Sequence, residues 1–181
     1  RELYHRYQDK PDSVDRDLVP ALIGILAYCG DAARYAEFKD KFKSARNPQE
    51  EQRYLYSLAA FRRLPLLRET MEMTINGEVR TQNAPYLMQS LLFNTTSRDD
   101  AWEFLKRNWD TMLKKFPDAA LPRMCEGIIG LINHEPEVRS FFAANKVRIG
   151  EKTIDQHLER LSVAVAFKHR EGAHMAGTLT S

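Results

Sequence analysis

His134-Glu135 is the only His-Glu dipeptide in the sequence, a metal-ligating side chain directly before a carboxylate base. Metal-assisted hydrolysis from a helix needs a second His one turn further on. Both imidazoles then hold the same cation, and the Glu faces the attacking water. Here Pro136, Glu137 and Val138 follow, so the second His is missing. Pro136 and Glu137 suit the first turn of a helix, where proline has no bonded N–H to lose and a carboxylate meets the positive end of the dipole. None of His5, His157, His169 and His174 has a partner at ligand spacing. His157 flanks an apolar stripe and is expected to pack at its edge. His169 and His174 fall where a helix ends, a site that favours a cation. Cys29 and Cys125 are far apart, each within an apolar segment, and both are expected as buried, inert, unpaired thiols. The 8 glycines are scattered, so no loop can cradle a phosphate. Asp99-Asp100 sits at a helix start, where capping accounts for it. No catalytic residue and no metal ligand is therefore assigned to this chain.

The elements around these residues are helical almost throughout. Arg1 to Gln8 reads as the tail of a helix and Pro11 to Val14 as a break. Asp15 is expected to cap a helix whose inner face is Leu18, Leu22, Ile25, Leu26 and Cys29, stopped by Gly30. Asp31 caps the next, with Tyr35, Phe38, Phe42 and Ala45 recurring every three or four residues. Asn47-Pro48 opens another, with Leu55, Leu58 and Ala59. Leu64, Leu67, Met71 and Ile75 mark a fourth, ending at Asn76-Gly77. Glu78 to Gln82 reads as a short extended link before a helix over 83–93. Ser97 and Asp100 suggest a capping box. Trp102, Leu105, Trp109, Met112 and Phe116 then form one unbroken stripe, which makes the two tryptophans core rather than a platform for stacked bases. A seventh helix holds Met124, Cys125, Ile128, Ile129 and Ile132, and an eighth Val138, Phe141 and Phe142. The ninth holds Ile154, Leu158, Leu161 and Val165 and closes at Gly172.

About nine helices with short connectors must fold back on one another as antiparallel hairpins. The fold class expected is all-α: an irregular α-solenoid of HEAT or armadillo type with a concave inner face. One helical-repeat domain is expected over 1–172 and a flexible tail over 173–181. Each buried Leu, Ile or Phe contributes roughly 1.5–3 kcal/mol, which offsets chain entropy only when neighbouring hairpins cover one another. The array is therefore expected to fold as one block.

Bulk composition narrows the function classes. Lys and Arg number 27 against 25 Asp and Glu, leaving +2, and the basic clusters Arg62-Arg63, Lys114-Lys115 and Lys168 to Arg170 are short. A nucleic-acid partner, which needs a basic stripe, is excluded on that ground. No apolar run is long enough to span a bilayer, so no membrane partner is expected. No segment reads as a signal peptide, and the compartment stays open. The chain opens on Arg1 rather than Met, which leads us to expect a piece of a longer protein.

One ordered set of motifs stands out. Gly77-Glu78-Val79-Arg80-Thr81-Gln82-Asn83 precedes an apolar helix. Ala101-Trp102-Glu103-Phe104-Leu105-Lys106-Arg107-Asn108-Trp109 follows, then Lys115-Phe116, then Glu137-Val138-Arg139-Ser140-Phe141-Phe142. The order resembles the C-terminal helical domain of the alanyl and puromycin-sensitive aminopeptidases, the gluzincin zinc peptidases that include the endoplasmic-reticulum type. The resemblance spans roughly 15–170, and Pro48 to Leu67 fits the family's earlier segment. Asn83 stands where the family more often has Asp, and the stretch after Arg170 departs from the family's continuation. The family's H-E-x-x-H zinc site and G-x-M-E-N motif are absent, because they lie in an upstream domain.

This likeness implies no cofactor in the chain itself and zinc in the parent enzyme. It implies two partners: the catalytic domain of the same polypeptide, and peptide substrates. The helical array would enclose the active-site cavity, with Arg80, Gln82 and Tyr86 as candidate substrate contacts. A free-standing helical-repeat scaffold for a protein partner is the alternative that composition and periodicity support equally.

Overall fold

The protein is described by a computed structural model covering the backbone of residues 2–179 and the side chains of residues 2–172. Among the described residues all regular structure is helical and no strand occurs. Chain contacts divide it into two compact units, Arg1–Glu72 and Met73–Ser181.

The first unit holds α1 (Glu2–Asp9), α2 (Leu18–Tyr28), α3 (Ala32–Lys43), α4 (Pro48–Ser57) and most of α5 (Leu64–Met73). Local signals set several of its boundaries. Asp31 accepts the Arg34 N–H at 3.0 Å, and Asn47 accepts the Glu50 N–H at 2.9 Å ahead of Pro48. Helix α3 packs on α4, and α2 packs on both. Phe38 sits at the centre, fully buried, with ring centroids of Tyr54 at 5.2 Å, Tyr4 at 5.9 Å and Phe61 at 6.1 Å.

Two expectations for α2 are corrected. The helix begins at Leu18, because Asp15 turns its carboxylate onto the Asp17 N–H at 2.9 Å instead of capping. Its buried row is Val19, Ile23 and Ala27, whereas Leu18 and Ile25 are 53% and 64% exposed. The helix is apolar on both sides, so periodicity cannot choose between them. Cys29, at its C-terminal end, is exposed rather than buried. Gly30 does end the helix, through close approach: an added Cβ would lie 2.5 Å from Phe61 Cε1 and 2.7 Å from the Leu26 carbonyl oxygen.

The second unit holds α6 (Ala84–Phe93), α7 (Arg98–Lys115), α8 (Leu121–Met124), α9 (Glu135–Ala144) and α10 (Glu151–Leu179). Helix α7 carries the expected stripe. Trp102, Leu105, Trp109, Met112 and Phe116 are all buried, and the two indoles pack on Phe141 and Phe142 of α9 with centroids 5.2–6.3 Å apart. The capping box is not formed. Ser97 is completely buried and donates its hydroxyl to the Leu91 carbonyl at 2.8 Å, so the side chain ties α7 to the end of α6. The seventh helix is also broken. After the four residues of α8, Cys125–Gly130 tightens into a 3-10 segment that lies against α6. Gly127 permits this, since a Cβ there would sit 2.4 Å from Leu92 Cβ.

Helix α10 buries Ile154, Leu158 and Leu161 as expected. It does not stop at Gly172 but runs to Leu179. A glycine costs a helix about 1 kcal/mol relative to alanine, too little to end it alone. The side chains of the tail expected over 173–181, His174 among them, lie outside the described residues.

Candidate functional site

Arg80, Gln82 and Tyr86 lie on the turn that joins α5 to α6 and on the first turn of α6. The turn is bent rather than extended. Asn76 accepts the Glu78 N–H at 2.9 Å through its Oδ1 and donates to Glu78 Oε1 at 2.8 Å. Gly77 adopts φ +94°, a left-handed conformation that a side chain would strain. Val79 is driven into the core at 3% exposure. The Arg80 carbonyl then accepts both the Asn83 N–H at 2.9 Å and the Ala84 N–H at 3.0 Å, which launches α6. Asn83 is buried, but its side chain makes no capping bond.

The result is a rigid turn with its apolar residue inward and its polar residues outward. Arg80 and Gln82 are exposed, and Tyr86 is half-buried. A guanidinium, a carboxamide and a phenol are groups that can donate hydrogen bonds to, and in the last two cases accept them from, a peptide main chain.

His134 and Glu135 are structural. His134 precedes α9, with Pro136 in the first turn. Its Nε2 lies 3.4 Å from Asp99 and its Nδ1 3.5 Å from Glu137. Lys106 reaches both Glu103, at 2.7 Å, and Glu137. The Lys106 hydrogen bond holds the Glu137 carboxyl below its ordinary value, and bonds from Ser162 and Arg139 do the same for Glu135. The Lys106 and Arg139 ion pairs lie at the surface of α7 and α9 and carry small energetic weight, and hydrogen bonds from Arg139 to Ser162 and the Leu158 carbonyl reach α10.

His157 is packed at 7% exposure, with Nε2 3.0 Å from the Pro122 carbonyl oxygen, and burial pulls its pKa below the usual imidazole value. Cys125 is fully buried, and desolvation pushes its thiol pKa far above the reactive range. Among the described residues, no group of three or more His, Cys, Asp or Glu could hold a metal ion, so the residues present do not fit zinc. No described helix is long and apolar enough to cross a membrane.

Sequence reasoning missed one feature, an apolar groove of about 810 Å³ between α10 and the 3-10 segment, lined by Ile129, Ile132, Val163, Ala164 and Phe167. The signal was a second apolar row on the last helix, at 163, 164 and 167, beside the row that α10 buries.

The family model of the ERAP1-like C-terminal domain matches residues 1–163. The chain belongs to this family. Similar proteins include a probable aminopeptidase 2 from Sulfurisphaera tokodaii, 26% identical over 155 residues, covering 84% of this chain and 20% of that protein. Aminopeptidase M1-B of Oryza sativa subsp. japonica is 28% identical over 127 residues, covering 68% of this chain and 14% of that protein. Endoplasmic reticulum aminopeptidase 2 of Bos taurus is 25% identical over 158 residues, covering 81% of this chain and 16% of that protein. The ERAP1-like domain thus spans a fifth or less of the length of these curated relatives. The rigid turn bearing Arg80, Gln82 and Tyr86 and the tryptophan stripe both fall inside the matched residues. The far half of α10 falls outside them.

Proposed function

We propose that this chain is the non-catalytic C-terminal domain of a zinc-dependent aminopeptidase. In this reading residues 1–172 form one helical-repeat array. The array closes over a catalytic domain carried upstream on the same polypeptide, where the zinc activates water for removal of N-terminal residues. The array walls the cavity, admits peptides and excludes folded proteins. Its opening and closing against the catalytic domain gates entry and release.

The observation that carries this reading is the family match over residues 1–163, together with relatives that bear aminopeptidase names. The exposed Arg80 and Gln82 on the turn before α6 suit binding of a peptide body or tail. The Arg80, Gln82 and Tyr86 side chains are assigned to that contact.

The test uses the parent enzyme. Arg80→Ala and Gln82→Ala should raise KM for peptides long enough to reach the domain by about 3- to 10-fold, the worth of one or two hydrogen bonds to charged or polar groups. Turnover of a single-residue reporter substrate should not change. Equal effects on both substrates would remove the contact role, and hydrolysis of the reporter by the isolated chain would remove the non-catalytic reading altogether.

A further inference from the structure

We propose that Asn76 is a site of spontaneous covalent modification: the Gly77 nitrogen attacks its side-chain amide, and the turn before α6 is converted to an aspartyl or isoaspartyl turn. Of the seven asparagines in the chain, only Asn76 precedes a glycine. Glycine has no Cβ to crowd its own nitrogen as that nitrogen attacks. Asn76 and Gly77 are both exposed, and a Cβ added at Gly77 would meet nothing within 4 Å, so no other segment shields the turn. Among the described residues the Gly77 N–H donates no hydrogen bond, which leaves its nitrogen untied. The Asn76 amide, by contrast, is held at both ends. Oδ1 accepts the Glu78 N–H at 2.9 Å, and Nδ2 donates to Glu78 Oε1 at 2.8 Å. The first of these bonds bears on the chemistry. Negative charge develops on Oδ1 as a nitrogen adds to Cγ, and the Glu78 N–H already points at that oxygen. Lys115 sets its ammonium on the adjacent Ile75 carbonyl, so a cation stands close to where the new carboxylate forms.

Water is the only reactant the step needs from outside. The Gly77 nitrogen loses its proton and bonds Cγ. The Cγ–Nδ2 bond breaks, and Nδ2 takes up a proton and leaves as ammonia. The cyclic imide that remains is opened by water at either carbonyl. Breaking the new Cγ–N bond leaves aspartate at position 76 in an ordinary main chain. Breaking the original C–N bond leaves isoaspartate, with the main chain rerouted through Cβ and Cγ. Either product places a carboxylate two residues from Glu78. The isoaspartyl form also lengthens the chain by one carbon just ahead of Val79, which anchors the turn in the core, and of Arg80, whose carbonyl launches α6. Asn94 supplies an internal control. Its Oδ1 accepts the Thr96 N–H at 2.9 Å, the same local bond, but the β-branched Thr95 follows it in place of a glycine.

Incubation of the full chain in mildly alkaline buffer tests this, with digests followed over time by mass spectrometry and the two products separated by fragmentation. The peptide holding Asn76 should gain about 1 Da and appear as both aspartyl and isoaspartyl forms. It should do so at least about 10-fold faster than the peptide holding Asn94. Gly77→Ala should slow the conversion by about 10-fold. Because the folded turn already presents Oδ1 to a donor, the folded chain should react at least as fast as the chain unfolded in urea. Far-UV circular dichroism checks that Gly77→Ala is folded. Should it not be, the Asn94 comparison and the folded-against-unfolded comparison decide, since both use the unaltered chain. Slower conversion in the folded chain than in the unfolded one would overturn the proposal. So would an Asn76 peptide that changes no faster than the Asn94 peptide, a folded Gly77→Ala chain that reacts at the parent rate, or aspartate without isoaspartate, which would mean direct hydrolysis and no imide.

Discussion

Removing the Phe142 ring should cost the second unit about 3–5 kcal/mol. The side chain is 4% exposed, and its ring stands edge-on to Trp109 at 5.7 Å and 86° and to Phe141 at 5.2 Å and 90°, with Trp102 at 6.3 Å. Phe142→Ala loses the transfer free energy of the ring and leaves a cavity that helices α7, α9 and α10 can only partly close, which sets the 3–5 kcal/mol range. Phe142→Leu keeps most of the buried apolar volume but loses two edge-to-face pairs of about 0.5–1.5 kcal/mol each, so its cost should be about 1–3 kcal/mol. Both tryptophans of the chain belong to this cluster, so intrinsic fluorescence reports its unfolding directly. Urea denaturation followed by that signal should show lowered midpoints with an unchanged slope, Ala below Leu below the parent chain. A cost under about 1 kcal/mol for Phe142→Ala, or equal costs for the two variants, would refute the reading of this cluster as a packed core with specific ring geometry.

Burial holds His157 neutral by lowering its folded pKa, whereas the unfolded imidazole protonates near pH 6.5. The unfolded state therefore binds more protons below about pH 6.5, so stability should fall as pH drops from there toward the lower folded value and stay level above it. His157→Gln should flatten that stretch of a urea-midpoint profile, and an unchanged slope would contradict the assignment. A thiol reagent should label Cys29 rapidly in the folded chain and Cys125 only on unfolding, because one is exposed and the other fully buried with a raised pKa. Two fast thiols would place Cys125 elsewhere. Ser97→Asn should destabilise by about 1–3 kcal/mol through overpacking of a fully buried site, whereas a capping role would make the exchange close to neutral. Thermal melts of the two chains distinguish these outcomes.

The elements that sequence reasoning located best are those whose signals are local. Asp31 and Asn47 cap where their spacing to the next N–H dictates, and Pro48 fits the first turn for the same reason. The tryptophan stripe of α7 was legible because the opposite face is charged, so only one orientation buries the apolar row. The Arg80 turn was legible as a break through Asn76-Gly77. Its bent form was not, because the bonds from Asn83 and Ala84 to the Arg80 carbonyl leave no mark on residue type. In the candidate site, the missing second His at 134–138 was readable directly from the chain, since a ligand pair one helical turn apart is a property of the sequence.

Other features depended on what lies across the gap. Helix α2 is apolar on two sides, and only the packed neighbours select Val19, Ile23 and Ala27 over Leu18 and Ile25. Ser97 reads as a cap but spends its hydroxyl on Leu91, and Cys125–Gly130 reads as part of a seventh helix but tightens into a 3-10 segment against Leu92. The sequence by itself determined that this chain is helical and where several helices begin, because those are short-range properties of residue type and interval. The tertiary structure alone decided which faces are covered, which thiol is exposed and where the groove beside α10 lies. Burial is a relation between segments distant in the chain, and helical periodicity marks an apolar face without naming what will meet it.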